Sequence, residues 1–75
     1  MTQIYDASQK ELATMAQRYL RDGIPSRATY CYERLMYLGC LCRTGYLRLA
    51  LVYTKQGKDN AAERVLNRYR AIYKY

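Results

Sequence analysis

The chain has 75 residues, ten of them tyrosine and three cysteine, with no histidine, tryptophan or phenylalanine, and a formal net charge of +7. A chain this short reads as one small domain over residues 1–75, burying only about 60% of the surface that its unfolded form exposes. The missing histidine removes the commonest general base and metal ligand, and no apolar run approaches the roughly 20 residues that span a bilayer.

The first seven residues form a lead-in whose only large apolar side chains, Ile4 and Tyr5, are placed to fold against the first helix. Ser8 and Glu11 then have the spacing of a capping box, the serine accepting from a backbone N–H and the glutamate reaching back. A helix is expected over residues 9–21, with Leu12, Met15, Ala16 and Tyr19 on its buried face at i, i+3, i+4 and i+7. Gly23 suits the left-handed residue that ends a helix, and Pro25 suits the first turn of the next.

A second helix over residues 25–38 buries Ala28, Cys31, Tyr32 and Leu35 and leaves Tyr30 and Tyr37 on the opposite side. Residues 39–42 mark the boundary between two units. A third helix over 43–56 buries Tyr46, Leu49, Ala50 and Tyr53. Gly57 and Asp59 mark the next turn, and Asp59 favours the positive end of a fourth helix over 58–73. Its buried face is Ala62, Val65, Leu66 and Tyr69. The fold class is all-α, with four helices in two hairpins, 9–38 and 43–73.

Displaced by 34 residues, the halves coincide at Ala16/Ala50, Tyr19/Tyr53, Gly23/Gly57, Ala28/Ala62 and Arg34/Arg68. A helix–turn–helix unit with this period resembles the tetratricopeptide repeat. Leu12 and Tyr46 stand where that family has tryptophan, Ala16 and Ala50 where it often has glycine, and Cys40 where it often has the linker proline. The resemblance implies stacked hairpins with a right-handed superhelical curve. It also implies that first-helix positions line a concave groove for a partner segment.

On the third helix those positions are Leu47, Leu51 and Thr54, a second apolar strip beside the buried face; on the first they are Ala13, Gln17 and Leu20. Lys10, Arg21, Arg48 and Lys55 stand along the rim. The strip suits an amphipathic helix with apolar anchors and acidic flanks. The family's terminal-carboxylate clamp uses lysines and asparagines where this chain has Ala13, Gln17, Leu47 and Leu51, so that specificity is not carried over. Tyr69, Ile72 and Tyr73 lie where a following repeat would stack and form a second interface.

Residues 1–38 carry five basic and four acidic side chains, whereas residues 39–75 carry eight and two, an asymmetry that points to an anionic partner surface. The carboxylates are scattered and there is no glycine-rich phosphate loop, so neither an enzyme nor a cofactor is expected. Cys40 and Cys42 with Cys31 fall short of the four ligands of a zinc site and read as small apolar groups packed at the joint between units. An odd cysteine count without a signal-peptide pattern points to a reducing, cytoplasmic setting.

The expected function is non-catalytic binding of an amphipathic helix of another protein, as a chaperone or adaptor. The small tetratricopeptide-like chaperones of type III secretion needle subunits are similar in size and, over the run from Leu49 to Ala71, in the order Leu-Ala, Gly, Ala-x-x-x-Leu-Asn-Arg. A small co-chaperone or a second copy is a further expected partner, with no membrane insertion. The alternatives are a basic helical module on RNA or another polyanion, for which nucleic acid is the less expected partner, and a self-assembling scaffold.

Overall fold

The computed structural model describes residues 8–73; Ile4, Tyr5 and Tyr75 lie outside them. The fold is all-α, with four helices and no strand among the described residues: α1 (Gln9–Arg21), α2 (Pro25–Tyr37), α3 (Arg43–Lys55) and α4 (Asp59–Ile72). Each lies within a residue or two of the span its periodicity predicts. The chain divides into two compact units, Met1–Leu41 and Cys42–Tyr75, the first built on α1 against α2 and the second on α3 against α4.

In the first unit, α1 opens with the predicted capping box. The Glu11 N–H donates to Ser8 Oγ at 3.3 Å, and the Ser8 N–H donates to Glu11 Oε1 at 3.1 Å. Leu12 and Ala16 of α1 and Ala28, Cys31, Tyr32 and Leu35 of α2 are buried. Ala28 has no exposed surface at all, as a small residue does where two backbones approach. Tyr19 is half-buried, with the Arg27 guanidinium 5.8 Å from its ring centre in cation–π range. Thr29 and Met36 are also buried, and the Thr29 hydroxyl donates to the Ser26 carbonyl at 2.8 Å.

The second unit repeats this plan with aromatic residues in place of aliphatic ones. Tyr46 and Tyr69 occupy, 34 residues on, the positions of Leu12 and Leu35. The Tyr46 ring meets Tyr69 at 6.1 Å and Tyr73 at 6.2 Å, and Tyr69 meets Tyr73 at 5.1 Å, all in tilted or edge-on arrangements that suit the ring quadrupole. The Arg43 guanidinium lies 4.8 Å over the Tyr73 ring. Leu49, Ala50, Tyr53, Ala62 and Val65 complete the buried set, and Gly45 and Val52 join it.

The 34-residue period extends to individual hydrogen bonds. At the end of α1, the N–H groups of Gly23 and Ile24 donate to the carbonyls of Leu20 and Tyr19 at 3.2 and 2.8 Å; at the end of α3, those of Gly57 and Lys58 donate to Thr54 and Tyr53 at 3.0 and 2.9 Å. Both are Schellman closures, and both glycines have φ of 75°, the left-handed region that side chains resist. The end of α2 closes in the same way at Gly39 and Cys40, which is where the first unit gives way to the second.

Candidate functional site

Helix α3 packs only part of its circumference. At about 100° per residue, its buried residues occupy one arc and the remainder carries Arg43, Thr44, Leu47, Arg48, Leu51, Thr54 and Lys55, all exposed. Leu47 and Leu51 are one turn apart and 46% and 53% exposed. Arg48 and Lys55 run along one side of this leucine row. Thr54 lies on the other, its hydroxyl turned back to donate to the Ala50 carbonyl at 2.9 Å. Every charged residue on the helix is basic. The surface therefore offers two apolar anchors inside a positive rim.

The corresponding positions on α1 are more polar and less open. Ala13 and Leu20 are half-buried, and Gln17 is exposed with Lys10 and Arg21. The exposed apolar strip among these candidates is thus a property of α3; the matching positions of α1 hold Ala13, Gln17 and Leu20.

Of the residues predicted for a second interface, Ile72 is 53% exposed. Tyr69 and Tyr73 are half-buried and turned onto Tyr46, because the ring cluster of the second unit extends to the end of α4. Two of the three cysteines also depart from expectation. Cys31 is buried, Cys40 half-buried and Cys42 exposed at the N-terminal cap of α3, while Leu41 between them is buried.

Burial pushes up the pKa of the Cys31 thiol. Burial also raises that of Tyr46, with Tyr73 adding to the rise and the positive charge of Arg68 opposing it. Among the described residues there is no group of three or more histidine, cysteine or acidic side chains placed to hold a metal ion, and no helix long and apolar enough to cross a membrane. The turn into α4 frames an open depression lined by Gly57, Lys58, Asp59, Asn60, Ala61 and Arg64, with both signs of charge on its wall.

Sequence reasoning found the α3 strip from its spacing. It missed Arg43 as a cover for Tyr73, since a cation facing a ring at the far end of the next helix leaves no periodic signal. Comparison with known families, with characterised proteins and with solved structures finds no match.

Proposed function

We propose that this chain is a non-catalytic protein-interaction module, a chaperone or adaptor that covers an amphipathic helix of another protein. The observation that carries this reading is the row of Leu47 and Leu51, half in solvent on a helix whose charges are all basic. Exposed apolar groups rimmed by polar ones are the surface of a partner-binding site. The rim selects a partner helix with carboxylates flanking its apolar face. The 34-residue recurrence of helix-closing hydrogen bonds supports a tetratricopeptide-like unit, and within that class a needle-subunit chaperone of type III secretion is the most concrete assignment. A cytoplasmic setting accords with three unpaired thiols. Ile72 offers a smaller contact for a co-chaperone or a second copy.

A second reading is favoured by one observation: residues 39–75 carry eight basic side chains against two acidic ones, a balance that suits RNA or another polyanion. The same end of the chain, through Ile72, would serve a self-assembling scaffold. Salt separates the first two readings. The partner is recovered by co-purification with the full chain from its native source and identified, and its affinity is then followed from low to physiological salt. Apolar burial survives this range, whereas binding through phosphates falls steeply with log salt. Retention of tight protein binding is the expected result; complete loss, or recovery of nucleic acid alone, would favour the polyanion.

A further inference from the structure

The leucine row is the middle of a longer pattern on α3. Thr44, Leu47, Leu51 and Thr54 follow one another at steps of three, four and three, and all four are exposed. That is the a/d spacing of a helix–helix seam, which repeats every seven residues, and it lies opposite the buried arc of the helix. The two flanks of the seam differ. Arg48 and Lys55 stand on one of them, directly after Leu47 and Thr54 and about 10 Å apart along the axis (seven residues at 1.5 Å each). Both are exposed, and neither has a partner among the described residues. The other flank holds Arg43 and Ala50. Ala50 is buried, and the Arg43 guanidinium is engaged 4.8 Å over the Tyr73 ring. The open positive charge beside the seam is therefore one-sided.

Resting on the reading of the leucine row as a helix-docking surface, we infer that its one-sided rim sets the direction in which the partner helix lies. The occupant is an amphipathic helix with apolar residues at a and d and carboxylates seven residues apart on one flank only. Flank residues pair across a two-helix seam, e with g when the helices are parallel and e with e when they are antiparallel. With Leu47 and Leu51 at d and a, Arg48 and Lys55 are both e residues. A helix with its carboxylates at e meets them when it runs antiparallel to α3, and one with its carboxylates at g when it runs parallel. The charge of this part of the chain supports an acidic occupant. Residues 39–75 carry eight basic side chains against two acidic ones, Asp59 and Glu63, and both of these are on α4. The same rule turns away a second copy. Two α3 seams laid antiparallel would set the Arg48 of each against the Lys55 of the other, like charges that repel, and two laid parallel would find no carboxylate on either flank.

The test uses the full chain with Cys40→Ser and a quencher on the exposed Cys42 thiol, which marks the start of α3. Three helical peptides of about three heptads are titrated onto it, below the concentration at which they self-associate. All carry Leu at a and d. The first has Glu at e and Gln at g, the second is its reversed sequence, which moves Glu to g, and the third has Gln at both. Each is made with a fluorophore at one end or the other. The first is expected to be quenched mainly at its C-terminal end and the second mainly at its N-terminal end, by about fivefold over the opposite end. The third is expected to bind about fivefold more weakly and without a preferred end. Arg48→Gln with Lys55→Gln is expected to erase the difference between ends and leave the affinity of the third peptide unchanged. Leu47→Asp with Leu51→Asp is expected to abolish binding of all three; circular dichroism checks that both variants keep their helicity. Leucine-dependent binding with no preferred end, or with the same end of both acidic peptides at Cys42, overturns the inference and leaves the docking surface standing. Absence of binding, or binding indifferent to the leucine pair, overturns both. Self-association of the wild type that the leucine pair variant abolishes would put a second copy in the row and would also overturn the inference.

Discussion

The hydroxyl of Tyr32 is buried without a hydrogen-bond partner among the described residues. A desolvated, unpaired hydroxyl costs about 1–3 kcal/mol, whereas its removal leaves the ring packing in place. Tyr32→Phe is therefore expected to be neutral or to stabilise the chain by about 1 kcal/mol, read from the urea midpoint; a loss of that size would mean that the hydroxyl is paired in solution. The three thiols make a second residue-scale test. Cys42 is exposed and Cys31 buried, so a thiol reagent is expected to label Cys42 at once and Cys31 only on unfolding. Rapid labelling of Cys31 in the folded chain would contradict the packing of α2. Burial raises the pKa of Cys31, so above about pH 8.5, the ordinary thiol value, the unfolded chain releases a proton that the folded chain keeps. Stability is then full below that pH and falls as pH rises through it. Cys31→Ala is expected to flatten this fall between about pH 8.5 and 10, above which Tyr46, whose pKa burial also raises, adds a fall of its own.

At the scale of the helices, the sequence was most legible where local chemistry decides. Ser8 and Glu11 announce the start of α1, and Gly23, Gly39 and Gly57 announce three ends, each at positive φ. A methyl group added at Gly23 or Gly57 meets nothing within 4 Å, so the cost of alanine is purely conformational. Each of Gly23→Ala and Gly57→Ala is expected to destabilise by about 1–2 kcal/mol, and by similar amounts, in thermal or urea melts. A marked inequality would show that the two closures are not equivalent. What the sequence hid were residues whose burial leaves no apolar signature. Gly45 has no side chain to pattern, and Thr29 looks polar but satisfies its hydroxyl on the Ser26 carbonyl. Met36 and Val52 fall outside the single stripe that period counting picks out, yet are buried. The candidate site was legible for the complementary reason: Leu47 and Leu51 are large, apolar and off the buried arc of their own helix. The ring cluster was half legible, since Tyr46 and Tyr69 follow the period but Tyr73 and Arg43 do not.

For the molecule as a whole, the decisive matter is whether the α3 leucine row is a partner surface. Filling the exposed half of two leucines contributes about 1.5–3 kcal/mol, a large share of the roughly 5 kcal/mol margin of a small domain. The chain without a partner is therefore expected to melt at modest temperature, and binding of the partner is expected to raise the melt because it selects the folded state. The most direct measurement is calorimetric titration of the co-purifying partner onto the wild type and onto Leu47→Asp with Leu51→Asp, alongside circular dichroism of both. The account predicts near-wild-type helicity in the variant, because both side chains are exposed, and affinity lowered by roughly 100-fold or more. Partner affinity unchanged in a folded variant would contradict it.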